Sequence, residues 1–246
     1  MTGGSSGIGK ATALALSKTG ARLVLLGRRG EALAEVAQMV EGEVLPIACD
    51  VADREAVNGA VKKALEHFGQ IDIVINSAGQ AAFGSVAELD PKTLQDVFSV
   101  HVFGTLNVIQ AALPALKQQK GLIVNVSSFL GYYSLPYLGA LGAAKGALNA
   151  LTTSLRTELK GTGVDVLLFG PPQTDTPFQG GESKRKLASA DDVAASLIKA
   201  MSRRKREVVK GTFFKVMNLF APQRLDSLFF NAMVKNKDPR RGPNTH

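Results

Sequence analysis

The sequence predicts one α/β domain of three layers, with helices on both faces of a doubly wound parallel sheet. The first observation behind this is that short apolar runs alternate with longer amphipathic stretches, a rhythm typical of consecutive βαβ units. The second is composition, since 45% of the 246 residues are hydrophobic and 20% are charged. These fractions are ordinary for one soluble domain with a sizeable buried core.

The predicted strands are the apolar runs, and the predicted helices are the stretches with helical periodicity between them. The strands are residues 22–26, 44–48, 71–76, 122–126 and 164–169. The helices are residues 8–19, 31–40, 54–68, 92–116, 139–160 and 191–202. Glycine follows three of these helices, at Gly20, Gly42 and Gly69, as is common at helix C-termini.

The two ends of the chain depart from this pattern. At the front, Thr2-Gly3-Gly4 follows the first methionine with no strand before it. We therefore expect the first strand of the sheet to be missing from this sequence and the natural chain to begin upstream. At the back, residues 213–234 predict one or two amphipathic helices before a polar tail. These helices either lie at a membrane interface and admit a lipid, or cap a cleft or pack in a dimer.

Charge and cysteine content exclude several classes of function. The net charge is +8, and much of the excess lies at residues 203–206 and in the tail, without interleaved aromatics, so nucleic-acid binding is not predicted. The cluster at 203–206 is interpreted as a solvated helix end. The single cysteine, Cys49, and the scattered histidines exclude a disulfide and a metal site. We expect a cytoplasmic protein, and contact of its C-terminal segment with a membrane surface is the alternative left open.

Residues 2–9 read Thr-Gly-Gly-Ser-Ser-Gly-Ile-Gly and open the first helix. Glycines there allow tight turns and close backbone approach to a pyrophosphate at a helix N-terminus. The loop predicts a Rossmann-type dinucleotide site. Its candidate cofactor-binding residues are Gly3, Ser5, Ser6, Gly7, Ile8 and Gly9.

The end of the next strand predicts which dinucleotide is preferred. An acidic residue there would bind the ribose hydroxyls, but this chain has Gly27-Arg28-Arg29, which offers two guanidiniums to a 2′-phosphate. We expect NADP(H) to be favoured over NAD(H). The alternative is that Arg28 and Arg29 are solvated loop charges.

Several motifs in order resemble the short-chain dehydrogenase/reductase family: the glycine loop, Asp50-Val51, Asn76-Ser77-Ala78-Gly79, Ser128 and Lys145. The resemblance covers residues 2–211 and implies interconversion of a ketone and a secondary alcohol by a homodimer or homotetramer. It implies that Ser128 orients the carbonyl and that Lys145 holds the nicotinamide ribose. Other cofactor-binding residues implied by it are Asp50, Val51, Asn76, Ala78, Gly79, Pro171, Thr174 and Thr176. Residues 212–246 are assigned to a helical extension and tail of the same domain.

The chain departs from this family at its proton donor. The family has Tyr-x-x-x-Lys thirteen residues after the serine, whereas this chain has Leu141-Gly-Ala-Ala-Lys145. In the family the lysine lowers the pKa of the tyrosine phenol, which donates the proton. Leucine has no ionisable group and cannot do this. A second departure is His101, where the family usually has asparagine; this histidine either relays protons or packs in its helix. Rescue by Tyr132, Tyr133 or Tyr137 needs a rearranged approach, and packing is the alternative for all three.

Three hypotheses follow. The first is an NADP-dependent oxidoreductase, and the second is a dinucleotide-binding pseudoenzyme in which Leu141 replaces the essential tyrosine. The third is an altered copy that folds poorly. On the substrate side, residues 170–177 read Gly-Pro-Pro-Gln-Thr-Asp-Thr-Pro, which is similar to the 3-ketodihydrosphingosine reductase branch. That likeness implies a lipid or another hydrophobic ketone as substrate.

Overall fold

A computed structural model describes residues 1–133, 135–179 and 187–209, and all of its strands pair in parallel. The strands are β1 Leu23–Gly27, β2 Val44–Ala48, β3 Ile73–Asn76, β4 Leu122–Val126, β5 Asp165–Gly170 and β6 Glu207–Val209. The α-helices are α1 Gly7–Ser17, α2 Gly30–Gln38, α3 Arg54–Phe68, α4 Pro91–Phe98, α5 Gly104–Gln119, α6 Gly139–Glu158 and α7 Ala190–Ser202. The predicted α/β class with parallel strands is therefore confirmed.

The strands form two parts, β1-β2 and β3-β4-β5-β6. Met1 and Thr2 occupy the position between β1 and β3. The amide of Leu26 donates to the Met1 carbonyl oxygen at 2.8 Å, and the amide of Thr2 donates to the Ile75 carbonyl oxygen at 2.9 Å. These two residues thus join the two parts of the sheet through backbone hydrogen bonds.

Helices cover both faces of the strands, as a doubly wound arrangement requires. On one face, α3 and α5 pack together over a core that includes Val57, Val108 and Ile123. On the other face, α1 packs against α7, and Leu197 joins Phe169 in a second buried cluster. The strands of the larger part are consequently apolar on both sides, which explains their continuous hydrophobic runs.

The prediction of one unbroken helix over residues 92–116 was wrong. A π-helical turn, Ser99–Phe103, separates α4 from α5. Gly104, which follows this turn, packs closely against the segment between β2 and α3. A Cβ on Gly104 would lie 2.6 Å from Cγ2 of Val51. The extra residue of a π turn rotates the side chains that follow it, and here it brings His101 to the cleft described below.

The stretch Pro91–Gln119 is also long and apolar enough to cross a membrane by length and composition alone. Its second half is a core helix, since Val108, Ala112 and Leu116 are almost fully buried against the sheet and α3. The core of a folded domain accounts for this apolar character without a membrane.

β6, which follows the basic cluster, was not predicted from the sequence. The predicted solvated helix end at residues 203–206 is exposed and directly follows α7, but Arg204 also makes contacts that were not predicted. Arg204 adopts a left-handed backbone with φ 45°, and its Nη1 donates to the Lys120 carbonyl oxygen at 3.1 Å and to Asp165 Oδ2 at 2.9 Å. The predicted C-terminal helices, residues 213–234, lie outside the described residues.

Candidate active site

A cleft of about 360 Å³ lies where the carboxyl ends of the strands meet the loops that follow them. Ligands of open α/β sheets bind at this edge, and the volume lies within the range of small-molecule sites. Nearly all of the predicted site residues line it. They are Gly3, Ser5, Ser6, Gly7, Ile8, Gly9, Arg28, Arg29, Asp50, Val51, Ala78, Gly79, Ser128, Leu141, Lys145, Pro171, Thr174 and Thr176.

The glycine loop is shaped by close backbone contacts. Gly3 has φ +69°, and a Cβ there would lie 2.7 Å from the Ser77 carbonyl oxygen. A Cβ on Gly9 would collide with the carbonyl oxygen of Gly3, so the loop folds directly onto the first turn of α1. Gly7, with φ +52°, begins that helix. Residues of this turn line the cleft, and the N–H groups at the start of a helix suit an anionic phosphate group.

Thr2 fastens this loop to the segment after β3. Its Oγ1 accepts hydrogen bonds from the backbone N–H groups of Ser77 and Ala78, both at 3.0 Å, and the residue is 2% exposed. This role of Thr2 was not predicted from the sequence. The threonine at the start of the loop was the available signal, because a hydroxyl can satisfy backbone donors of a neighbouring segment.

The arginine end of the cleft lies at the carboxyl ends of β1 and β2. Arg28 and Arg29 are both exposed there, and Nη2 of Arg29 donates to Ser5 Oγ at 3.4 Å. No ion pair holds either guanidinium among the described residues. Next to them, burial raises the pKa of the Cys49 thiol, and Asp50 Oδ1 accepts from the Ala52 amide at 3.0 Å.

Asn76 differs from its prediction, because it is not among the residues that line the cleft. It is buried, and its Nδ2 donates to Asn125 Oδ1 at 2.9 Å. Asn125 in turn donates from Nδ2 to Thr152 Oγ1 at 2.9 Å. The side chain therefore ties β3 to β4 and α6 in the interior, while Ser77, Ala78 and Gly79 form the wall.

Lys145 lies on α6 and is 6% exposed. Its Nζ donates to the Val126 carbonyl oxygen at the end of β4, at 2.7 Å. Burial without a carboxylate partner disfavours the charged form and lowers the pKa of Lys145 to about 7. The amine is therefore a mixture of charged and uncharged forms near neutral pH, unlike an ordinary exposed lysine.

Leu141 lies one helical turn before Lys145 and also lines the cleft, with 4% of its surface exposed. Residues four apart share one face of a helix, so the leucine occupies the place from which a longer polar side chain would reach the cleft. Across from it, Ser128 caps a short 3₁₀ turn, and its Oγ accepts from the Leu130 amide at 3.2 Å.

His101 is buried beside the cleft, with 1% of its surface exposed. Its Nε2 lies 2.9 Å from the Gln80 carbonyl oxygen and 3.3 Å from the Gln80 amide nitrogen, whereas Nδ1 has no hydrogen-bond partner among the described residues. Burial, followed by the charge of Lys145, lowers the pKa of this imidazole to about 3. His101 is thus uncharged at neutral pH.

The tyrosines do not take the place of the missing donor in this conformation. Tyr132, Tyr133 and Tyr137 are absent from the described residues that line the cleft. The hydroxyl of Tyr132 donates to Glu207 Oε1 at 3.0 Å, and its pKa is raised by burial and by this bond. Tyr137 has a left-handed backbone, φ 63°, and its carbonyl oxygen accepts from the Gly84 amide at 3.0 Å.

The wall around Leu141 is largely apolar. Its hydrophobic members are Phe83, Phe129, Leu130, Leu138, Leu141 and Phe178. Phe178 stacks edge-on to the His101 ring at a centroid distance of 6.4 Å. Among the described residues, no group of three histidine, cysteine or acidic side chains is arranged to hold a metal ion. Besides this hydrophobic wall, the lining offers the Ser128 hydroxyl and the buried Lys145 amine as polar groups for chemistry.

The glycine loop, the arginine end of the cleft and the buried Lys145 amine fit an elongated dinucleotide with phosphate groups.

Comparisons with known proteins agree with this geometry. The sequence matches the family model for short chain dehydrogenase over residues 1–187. An uncharacterized oxidoreductase of Staphylococcus epidermidis is 37% identical over 206 residues, covering 82% of this chain and 90% of that protein. An uncharacterized oxidoreductase of Staphylococcus aureus is 35% identical over 207 residues, with the same coverage.

Two solved structures share the fold. A short-chain dehydrogenase from Streptomyces avermitilis superposes with a TM-score of 0.83 at 25% identity, covering 96% of this chain and 97% of that one. An alcohol dehydrogenase from Thermococcus sibiricus, complexed with 5-hydroxy-NADP, superposes with a TM-score of 0.77 at 28% identity, covering 85% and 93%. The chain therefore belongs to the short-chain dehydrogenase family of NAD(P)-dependent oxidoreductases.

Proposed function

We propose that this chain binds NADP(H) and interconverts a hydrophobic ketone and its secondary alcohol. The observation that carries the proposal is one continuous cleft that joins the two arginines, the glycine loop, Ser128 and Lys145. When bound, the nicotinamide supplies or accepts the hydride. The phosphates would be held by the start of α1, and Lys145 would hold the nicotinamide ribose.

The preference for NADP(H) rests on the arginine end of the cleft. Arg28 and Arg29 are exposed beside the cleft, and neither is in an ion pair in the described part of the chain. Guanidiniums with free donors suit a 2′-phosphate. Asp50, the acidic residue of this end, follows β2 rather than β1 and is occupied by the Ala52 amide.

Titration of the purified protein with NADPH and NADH tests this preference. We expect NADPH to bind more tightly, and the double substitution Arg28→Ala with Arg29→Ala to weaken NADPH by roughly 10- to 100-fold while NADH changes little. Equal affinities for the two coenzymes in the natural chain would contradict it. The matched control is Arg22→Ala, because Arg22 lies at the opposite end of β1 and stacks on Phe68.

The substrate end supports a hydrophobic ketone. Leu141 shares the cleft with several apolar side chains, and Ser128 is among the hydroxyl-bearing residues that line it. A largely apolar pocket with few polar groups favours an apolar ligand oriented by one hydrogen bond. A lipid chain is one such ligand, and contact of the C-terminal segment with a membrane stays a prediction.

A second candidate function is dinucleotide binding without turnover. It is favoured by Leu141, which puts a buried alkyl group where the family has its proton-donating tyrosine. Losing a positioned general acid costs about 10²- to 10⁴-fold in rate. An NADPH-oxidation assay across a ketone panel separates the two functions: turnover supports the oxidoreductase, whereas coenzyme binding without turnover supports the binding protein.

We also propose a homo-oligomer built on α5 and α6. The large apolar side chains Phe103, Leu106 and Leu151 lie on or just before these helices and are 56%, 37% and 44% exposed. Exposed apolar groups of this size on long helices suit a second copy of the chain. Light scattering coupled to gel filtration tests this, and a monomeric mass at micromolar concentration would contradict it.

A further inference from the structure

We propose that Lys145 captures apolar aldehydes as a reversible imine when the cleft holds no dinucleotide. The reacting group is the Nζ amine, and the bond forms at the floor of the same cleft, beside Leu141. This inference does not depend on turnover or on which coenzyme binds. It requires only that an aldehyde enter the cleft.

The first support is the electrostatic position of the amine. Lys145 is 6% exposed, and no ion pair involving it occurs in the described residues. Asp50 is the one carboxylate among the described residues that line the cleft, and it lies at the end of β2, beside the arginines. A buried ammonium without a counter-ion loses its proton readily, which agrees with the lowered pKa of about 7.

The second support is the orientation of the amine. One N–H donates to the Val126 carbonyl oxygen at 2.7 Å. An uncharged amine that donates one hydrogen bond keeps its lone pair for a carbonyl carbon. The titratable group that faces it from the π turn is His101, which is itself uncharged at neutral pH. Buried lysines in this state are the ones that proteins use as nucleophiles.

The third support is the side chain next to the amine. With tyrosine at position 141 the lysine would have a phenol as neighbour, but Leu141 offers only carbon atoms. Together with Leu138 and Phe129 it contributes apolar surface to the cleft that Lys145 also lines. An aldehyde with a hydrocarbon or aromatic body fits this surface better than a sugar or a charged aldehyde.

The chemistry balances without a further reactant. Nζ attacks the carbonyl carbon, a C–N bond forms, and one amine proton passes to the carbonyl oxygen to give a carbinolamine. The second amine hydrogen and the hydroxyl then leave as water, which produces the C=N bond. Addition of water reverses both steps and releases the aldehyde. No electron is transferred, so no oxidant or reductant is consumed.

Reductive trapping tests the proposal. The full chain, free of coenzyme, is incubated near neutral pH with benzaldehyde and sodium cyanoborohydride, which reduces the imine to a stable benzylamine, and the adduct is located by peptide mass mapping. We expect Lys145 to be modified at least about tenfold faster than exposed lysines, because a roughly 10³-fold larger fraction of it is unprotonated. Exposed Lys160 serves as the internal reference in the same digest.

Two further arms sharpen the result. Lys145→Arg keeps the hydrogen-bond donor but cannot form an imine, so the fast-forming adduct should disappear while Lys160 is modified as before; a thermal melt confirms that this variant is folded. Saturating NADP⁺ should slow modification of Lys145 in the natural chain. Equal modification of Lys145 and Lys160 in the natural chain would overturn the proposal. Fast modification that NADP⁺ does not slow would leave it standing and would contradict the assigned coenzyme site.

Discussion

Lys145 donates from Nζ to the carbonyl oxygen of Val126 at 2.7 Å, and this bond holds the amine of α6 against the end of β4. The same contact keeps the amine out of water. In an exposed lysine the charge would be solvated at no cost, whereas here the proton is bound weakly in the folded state. Stability should therefore depend on pH in a defined window.

Unfolding free energy should rise with pH between about 7 and the ordinary lysine value of 10.5. In this window the unfolded chain binds a proton that the folded chain does not, so the slope from this group approaches about 1.4 kcal/mol per pH unit. Urea unfolding measured across the window checks this. The variant Lys145→Met should lack this part of the slope, and identical slopes in the two proteins would contradict the assignment.

The window for His101 is lower and does not overlap. Its folded pKa of about 3 lies below the ordinary 6.5, so its contribution is present above pH 6.5 and is lost as the pH falls toward 3. The variant His101→Gln, whose amide can still bond to the Gln80 backbone, should be less sensitive to acid than the natural chain. The measurement is the loss of unfolding free energy between neutral and acidic pH in each protein. An equal loss in His101→Gln and in the natural chain would refute this.

Leu141→Tyr should raise NADPH-dependent ketone reduction by about 10²- to 10⁴-fold, because it returns a proton donor one turn from Lys145. The matched control is Leu141→Phe, which adds the ring without the hydroxyl and should leave the rate at the level of the natural chain. If the phenylalanine variant gained as much as the tyrosine variant, the effect would belong to pocket shape and not to proton transfer.

Two glycines in helices should respond to alanine with opposite signs. Gly9→Ala should destabilise by about 1–3 kcal/mol, since the new methyl group meets the fixed Gly3 carbonyl oxygen. Gly59→Ala should stabilise by up to about 1 kcal/mol, because no atom of the described residues outside its own stretch of α3 lies within 4 Å of its Cβ position. Thermal and urea unfolding of both variants measure this. A loss of stability in Gly59→Ala would show that the difference is not steric.

Thr2→Val should weaken both folding and coenzyme binding, because it leaves the Ser77 and Ala78 amides without their acceptor. An unsatisfied donor of this kind costs about 1–3 kcal/mol. Thr2→Ser retains the hydroxyl and should behave like the natural chain in unfolding and in NADPH titration. Equal behaviour of the valine and serine variants would remove the role given to the threonine.

Much of the fold was visible in the sequence because each buried parallel strand is a continuous apolar run. β2, β4 and α3 begin and end where the periodicity places them. β6 was missed because it has three residues and follows a basic cluster, so its pairing with β5 depends on tertiary structure. The π turn was missed because one inserted residue hardly alters a hydrophobic pattern.

The site was predicted in part for a similar reason. Loops at strand ends carry recognisable motifs, so Ser128, Lys145 and the glycine loop were expected where they lie. The direction in which a side chain turns is not encoded in its motif. Asn76 follows the family pattern but faces the interior, and the anchoring bonds of Thr2 join segments 75 residues apart.

The buried chain of amides and hydroxyl from Asn76 through Asn125 to Thr152 has a mechanical consequence. These hydrogen bonds connect β3, which ends beside the glycine loop, to α6, which carries Lys145, and they lie in the protein interior. β3 and α6 cannot shift relative to each other without breaking one of these buried hydrogen bonds, which water is not there to replace. Substitution of Thr152 should therefore change ligand binding in the cleft, although Thr152 is not among the described residues that line it.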